Sequence, residues 1–187
     1  MNRRDAIQHI SLLLGGTIIG ANAFLTGCKT SSGEAGKFTD EDIAYLDEIA
    51  ETILPATKTP GAKAAKVGQF MTIMVNDCYE EKDQKVFRDG LGKLNDAADK
   101  KFDNKFMKLS AGQRRELLIE LDKEQKQYQS AKKADDPNHY FRQMKELTML
   151  GYFTSEIGCK QARRYVESPG KYDGCIPYKK GDTAWAI

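Results

Sequence analysis

Apolar residues recur at intervals of three and four along most of this 187-residue chain, and this spacing constrains the fold more than any other feature. In the first such segment four apolar residues share one helical face, Thr39 is placed to cap the helix, and Pro55 ends it. These four residues are Ile43, Leu46, Ala50 and Ile53. No segment combines an alternation of period two with enrichment in β-branched residues. The sequence therefore predicts an all-α fold.

The same spacing predicts three further helices in the first two thirds of the chain. One starts near Ala62 and carries Cys78 on its inward side, since free cysteine is among the most buried residue types. The next spans roughly residues 82–102. Ser110 and Gln113 then form the pattern of a capping box at the start of another helix.

A fifth helix is predicted from about residue 138 to 153, and Thr154 or Ser155 is placed to cap a sixth that runs to about Tyr165. The inward residues expected in the fifth helix are Phe141, Met144, Leu147, Thr148 and Leu150. From about residue 167 the chain has too many turn residues for helix or sheet. We therefore expect residues 38–187 to form a single compact domain of five or six helices with an irregular C-terminal tail.

The N-terminus has the organisation of an export signal. Arg3 and Arg4 precede an apolar run from residue 10 to 19, and Leu-Thr-Gly-Cys follows, ending at Cys28. Residues 1–27 are therefore predicted to be a signal peptide. Its paired arginines resemble a twin-arginine signal, and the alternative is an ordinary charged start. Leu-Thr-Gly-Cys resembles a bacterial lipobox, in which the cysteine receives lipid.

Lipid on Cys28 would anchor the protein to the periplasmic side of a bacterial membrane, either inner or outer. Residues 28–37 are small and polar, which is the composition of a flexible tether. Because the signal removes two arginines and one aspartate, the mature chain has a net charge near +1. This charge argues against nucleic acid as a partner, since phosphate binding requires a concentrated positive surface.

The residues show no pattern typical of a catalytic, cofactor-binding or metal site. Cys78, Cys159 and Cys175 form no Cys-x-x-Cys pair. His139, the only histidine of the mature chain, is expected at a helix start in an exposed or capping role. Gly90-Leu-Gly92 lacks the third glycine of a dinucleotide site and is interpreted as a loosened helix turn. Acidic pairs lie at the ends of predicted helices, where solvated charge is expected.

Three segments resemble one known family. Residues 50–62, Ala-Glu-Thr-Ile-Leu-Pro-Ala-Thr-Lys-Thr-Pro-Gly-Ala, resemble the opening signature of the gluconate 2-dehydrogenase subunit 3 family. Residues 146–158 resemble its second signature, and residues 172–177, Tyr-Asp-Gly-Cys-Ile-Pro, resemble its closing motif. The three segments occur in the family's order, and the resemblance covers about residues 40–178.

This resemblance implies a non-catalytic small subunit of a periplasmic dehydrogenase for sugars or sugar acids. In such complexes a large subunit holds FAD and oxidises the substrate, and a cytochrome c subunit, when present, takes the electrons. The small subunit carries the export signal for the large one. The isolated chain is then expected to be inactive and to hold no cofactor. The lipid site at Cys28 departs from better-known members and leaves the presence of a cytochrome open.

The resemblance and the residue types together suggest an interface with the large subunit. Prolines restrict the first signature, and aromatic side chains offer contact area at a low entropy cost. The expected interface residues are Pro55, Thr57, Thr59, Pro60, Gly61, Tyr152, Phe153, Tyr165, Tyr172 and Trp185. Tyr152 and Phe153 could instead be core residues at a helix end, and the tail could be a disordered terminus.

A disulfide between Cys159 and Cys175 that pins the tail is a further hypothesis, permitted by an oxidising compartment. Two other functions remain open at this point. One is a stand-alone envelope lipoprotein that binds a small ligand or another protein. The other, with less support, is an enzyme that uses a carboxylate cluster.

Overall fold

Five α-helices pack as a bundle in the part of the chain that the structure, a computed structural model, describes, which is residues 37–186. The helices are α1 (Asp40–Ile53), α2 (Val67–Cys78), α3 (Glu81–Phe102), α4 (Ala111–Ala131) and α5 (Tyr140–Thr154). Helix α5 contacts each of the other four. The second signature therefore lies on the central helix of the bundle.

The predicted signal peptide and nearly all of the predicted tether lie outside the described residues, and so do Arg3, Arg4 and Cys28. The predictions made for them stay predictions. No helix in residues 37–186 has the length and apolar character that a membrane span requires.

The core lies between the helices and is built from large apolar side chains of every helix. The side chains with no exposed surface include Leu46, Ile49, Met71, Val75, Phe87, Leu94, Phe106 and Met144. Phe106 belongs to a short 3₁₀ helix (Phe106–Lys108) between α3 and α4. The mainly helical fold is the fold class that the apolar spacing predicts.

Side chains at three helix starts accept backbone N–H groups, as the sequence predicts. Thr39 forms a capping box with Asp42 at α1, and Ser110 forms one with Gln113 at α4. His139 precedes α5, where its Nδ1 atom accepts a 3.2 Å hydrogen bond from the Phe141 N–H. His139 was expected to be either exposed or a cap, and the structure shows that it caps α5.

Helix α2 begins at Val67 rather than near Ala62, so the predicted start is wrong by about one turn and a half. The Ala62 N–H donates to the Leu54 carbonyl at 3.0 Å, and the Lys63 N–H donates to the Glu51 carboxylate at 2.9 Å. Both N–H groups thus bond back toward α1, which holds residues 62–66 in turns. The Gly68 N–H is accepted by Asp47 of α1 at 2.8 Å.

Two side chains that were predicted to face inward are exposed. Cys78 is the exposed last residue of α2, and its thiol lies 4.0 Å from the Met74 sulfur. Leu150 is 45% exposed because Leu147, Thr148 and Gly151 form the buried face of α5. The Thr148 hydroxyl is satisfied within the helix, where it donates to the Met144 carbonyl.

The predicted sixth helix is a short helical segment, residues 156–162, whose last five residues form a π turn (Gly158–Ala162), and it ends before Tyr165. Ser155 lies at its start as predicted, and its hydroxyl accepts the Gly158 N–H at 3.0 Å. Tyr165 belongs instead to a two-residue strand, β1 (Arg164–Tyr165), which pairs in parallel with β2 (Trp185–Ala186). The expectation of no sheet in the tail is therefore wrong. Local spacing does not report a pairing between residues so far apart in sequence.

Gly90 lies in regular α-helix, so the interpretation of a loosened turn is wrong. A Cβ atom at Gly90 would lie 2.6 Å from the Cβ atom of Tyr140. At Gly92 a Cβ atom would meet nothing within 4 Å. Gly90 therefore permits a close approach of α3 to the start of α5, whereas Gly92 does not have this role.

Candidate partner-docking site

The first signature forms an exposed turn at the C-terminal end of α1, which we call the signature loop (residues 55–61). Pro55, Ala56, Thr57 and Lys58 are exposed, while Thr59 and Pro60 are half-buried and Gly61 is buried. The Thr57 N–H donates to the Thr59 carbonyl at 2.9 Å. The loop thus presents Pro55 and Thr57 outward on a backbone that has one hydrogen bond of its own.

Glu51 holds the signature loop from inside the last turn of α1. One carboxylate oxygen accepts the Ala56 N–H at 2.8 Å and the other accepts the Lys63 N–H at 2.9 Å. A Cβ atom at Gly61 would lie 2.3 Å from both oxygens, so only glycine leaves room for this carboxylate. Glu51 lies within the first signature, but the sequence analysis does not predict this role for it. The signal that could have revealed it is a carboxylate at a helix end followed by a proline-bounded loop with free N–H groups.

Tyr152 holds the loop from the other side. Its hydroxyl donates to the Pro60 carbonyl at 2.7 Å, and its ring is only 4% exposed. Of the two roles left open for Tyr152, the structure places it in the core, where it positions the loop rather than facing outward. Phe153 is half-buried, with its ring edge-on to Tyr152 at 5.2 Å between centroids.

Glu48, one turn before Glu51 in α1, pairs with Lys63 just after the signature loop and, at 2.5 Å, with Arg114 of α4. Arg114 also donates to the carbonyl groups of Phe106 and Met107. The hydrogen bond from Lys63 lowers the pKa of Glu48, against the effect of burial, and the charges of Lys63 and Arg114 lower it further. Glu48 is therefore ionised at neutral pH.

The tail is an exposed loop whose two ends are joined by β1 and β2. The guanidinium of Arg164 lies 4.5 Å from the Trp185 ring centroid and also donates to the Thr183 carbonyl. Tyr165 and Trp185, both predicted interface residues, are thus at the base of this loop, and each is about half exposed. Tyr172 is 96% exposed and Tyr178 is 76% exposed. Tyr178, which follows Pro177, was not among the predicted interface residues, although it is an exposed aromatic residue like Tyr172.

The two cysteines of the proposed disulfide are free in the structure. The Cys159 thiol donates to the Phe153 carbonyl at 3.3 Å, and the Arg163 guanidinium donates to the same carbonyl. Cys175 is exposed in the tail loop. The disulfide stays a prediction, as do the partner contacts of the loop and the tail.

Within residues 37–186, no group of three or more His, Cys, Asp or Glu side chains is arranged to hold a metal ion. The acidic residue with the most depressed pKa there is Asp122 of α4. Burial acts to raise this pKa, but hydrogen bonds from Lys126, Lys145 and Gln125 outweigh it and lower the pKa to about 2. Asp122 is therefore ionised at neutral pH and serves as an internal counter-ion for two lysines.

The fold defines a mainly helical domain in which two separated sequence segments, 50–62 and 146–158, meet at one exposed loop. The chain belongs to the gluconate 2-dehydrogenase subunit 3 family, whose match covers residues 40–170. Membership confirms the resemblance and places the chain among subunits of dehydrogenase complexes. The closing motif at residues 172–177 lies beyond the match. Comparison with curated proteins and with solved structures finds no significant match.

Proposed function

We propose that this protein is a non-catalytic accessory subunit that escorts, stabilises and tethers a FAD-dependent dehydrogenase acting on a sugar, glycoside or sugar acid. The observation that carries the proposal is the bracing of the signature loop. Its exposed residues Pro55 and Thr57 stand on a backbone that Glu51 and Tyr152 hold in place. A loop that is ordered before binding loses little entropy on docking, which favours a role in recognition.

The tail loop would supply a second contact. Tyr172 and Tyr178 project from a segment that has almost no buried side chains of its own. Tyrosine offers a large contact area with few rotatable bonds, and it is enriched where proteins bind each other. A partner that covers both loops would bury these rings.

The N-terminal residues supply the transport and tethering parts of the proposal. Arg3 and Arg4 would direct export through the twin-arginine route, which carries folded proteins and so suits a subunit that binds a flavoprotein before export. Cys28 would carry the lipid that fixes the complex to the periplasmic side of the membrane.

The first test is recovery of the affinity-tagged full chain from its native membrane in mild detergent. We expect a yellow, roughly stoichiometric complex with a large flavoprotein that reduces a dye in the presence of its sugar substrate. Recovery of a colourless, folded protein without a flavoprotein would contradict the proposal and favour a stand-alone binding lipoprotein.

A second test asks whether the partner contacts the signature loop rather than another exposed part of the domain. Thr57→Arg places a bulky cation on the exposed face of the signature loop, and Ala134→Arg does the same on the exposed turn between α4 and α5. We expect only Thr57→Arg to lower recovery of the flavoprotein, with both variants folded by circular dichroism. Equal recovery with both variants would show that the signature loop is not the contact.

The transport role has its own test in the double variant Arg3→Lys and Arg4→Lys. We expect the flavoprotein to remain in the cytoplasm in cells that carry this variant. Cys28→Ser should instead let the complex reach the periplasm but release it from the membrane. A flavoprotein that reaches the envelope normally with the double variant would contradict the escort role.

A further inference from the structure

A groove of about 390 Å³ lies beside the signature loop, between the end of α1 and the facing sides of α4 and α5. Thr52 and Ile53 line it, and the loop begins two residues later at Pro55. The groove and the exposed part of the loop are therefore neighbouring parts of one surface. A partner that contacts the loop would lie within reach of the groove.

The groove has an apolar floor. Leu118 and Phe141 are almost fully buried there, and Ile119 leaves 47% of its surface exposed although it is a large β-branched residue. Ile53 completes the floor from α1. Exposed apolar surface that is rimmed by charge is typical of interaction sites.

The rim of the groove is basic. Arg115, Lys123, Lys126 and Lys145 contribute four cations, and Asp122 contributes the only carboxylate among the lining residues. Asp122 is already paired with Lys126 at 2.8 Å and with Lys145 at 2.5 Å. The lining residues thus carry three more positive than negative charges.

The two remaining cations face solvent and pair with no carboxylate of the described residues. Arg115 and Lys123 are exposed, and neither forms an ion pair within residues 37–186. They lie two turns apart on α4, on either side of Ile119 in sequence. A ligand that places an apolar group over Ile119 would therefore meet a positive charge at each end.

We propose that this groove binds an acidic, amphipathic segment of the large subunit, with one apolar side chain on the floor and carboxylates against Arg115 and Lys123. The proposal rests on the proposed function, since it names the chemistry of the same partner. Charge complementarity selects an acidic segment, and continuity with the signature loop selects the protein that binds the loop. An apolar anchor in a groove between helices is a common mode of peptide recognition.

The test uses the complex purified from its native membrane. The double variant Arg115→Glu and Lys123→Glu reverses the two unpaired charges, and Lys100→Glu with Lys108→Glu reverses two exposed lysines outside the groove. We expect the groove variant to weaken binding of the flavoprotein by on the order of tenfold, and the control variant to leave it unchanged. The loss should be largest at low salt, because salt screens exposed charges.

Two outcomes separate failure of this inference from failure of the proposed function. If the unmodified chain binds no flavoprotein, the proposed function itself is wrong. If it binds the flavoprotein and both double variants bind equally well at every salt concentration, only the groove assignment is wrong.

A photoactivatable cross-linking residue in place of Ile119 identifies the occupant directly. Mass spectrometry should find it joined to a flavoprotein peptide that contains aspartate or glutamate on both sides of an apolar residue. A cross-link to phospholipid, to a small ligand or to a basic peptide would overturn the proposal. Circular dichroism before irradiation checks that the substituted chain is folded.

Discussion

The Tyr152 hydroxyl donates a 2.7 Å hydrogen bond to the carbonyl oxygen of Pro60, 92 residues earlier in the chain. This bond joins the two segments of the sequence that carry the strongest resemblance to the family. The signature loop therefore depends on the central helix for its position as well as on its own prolines. Glu51 supports the loop independently from α1.

Tyr152→Phe tests this relationship. Loss of the hydroxyl should lower the free energy of unfolding by about 1 kcal/mol and speed amide hydrogen exchange in residues 56–63. Tyr128→Phe is the matched control, because the exposed Tyr128 also donates to a proline carbonyl, that of Pro137, at 3.1 Å. Faster exchange in the signature loop with both variants, or with neither, would contradict the assigned role of Tyr152.

Glu51→Ala removes two carboxylate hydrogen bonds, one to the loop at Ala56 and one to Lys63 just after it. The N–H groups of Ala56 and Lys63 should then exchange with solvent faster, and the exposed loop should be cleaved sooner by trypsin at Lys58. The control is Glu41→Ala, which removes an exposed acid from the first turn of the same helix. Unchanged exchange of the Ala56 and Lys63 amides in Glu51→Ala would show that Glu51 does not hold the loop.

Gly90 and Gly92 lie on the same helix, but replacing each with alanine should change the free energy of unfolding in opposite directions. An added methyl group at Gly90 meets Tyr140 at 2.6 Å and should lower the free energy of unfolding by about 1–3 kcal/mol. At Gly92 it meets nothing within 4 Å and should raise the free energy of unfolding by about 0.5–1 kcal/mol, because alanine favours helix. Urea denaturation of both variants measures the difference, and similar effects would contradict the close approach of α3 and α5.

The stability of the domain should fall as the pH drops through the normal range of histidine. Burial lowers the pKa of His139 below 6.5, although Glu124 acts to raise it. The folded state therefore binds a proton less readily than the unfolded state, and the stabilisation that is present above pH 6.5 is lost below it. A protonated Nδ1 atom also cannot accept the Phe141 N–H that it caps.

The variant His139→Asn keeps a capping side chain but cannot titrate in this range. Thermal unfolding between about pH 7.5 and about pH 5.5 should show a smaller loss of stability for the variant than for the unmodified chain. The two proteins are compared by how their stability changes with pH. The variant also loses the contact between the His139 and Tyr140 rings, whose centroids lie 4.4 Å apart, and is therefore expected to be less stable at every pH. Identical pH slopes would contradict the prediction.

The fold could be predicted in its main lines because its determinants are local. The capping boxes at Thr39 and Ser110 and the helix-ending Pro55 each act within a few residues, so spacing alone reports them. Predictions that depended on neighbours distant in sequence were less accurate. The π turn after Ser155 and the pairing of Tyr165 with Ala186 have no local pattern.

In the candidate site, too, features that depend on local sequence could be predicted, and features that depend on distant residues could not. Pro55, Thr57 and Pro60 could be found from their resemblance to a family and from the stiffness of proline, and the exposed Tyr172 from its residue type. The role of Glu51 could not be found in this way, because its carboxylate bonds N–H groups at two separate points of the chain, 5 and 12 residues away. The basic groove was missed because its lining residues come from three helices.

Local sequence patterns predict the helices, most of their ends and the family to which the chain belongs, because helix periodicity and capping are properties of short segments. The tertiary structure alone shows which apolar residues are buried and how Tyr152 and Glu51 hold the signature loop. It also shows that Arg115 and Lys123 form no ion pair with any described residue. Burial and ion pairing depend on which helix faces pack together, and this packing depends on residues that are distant in the sequence.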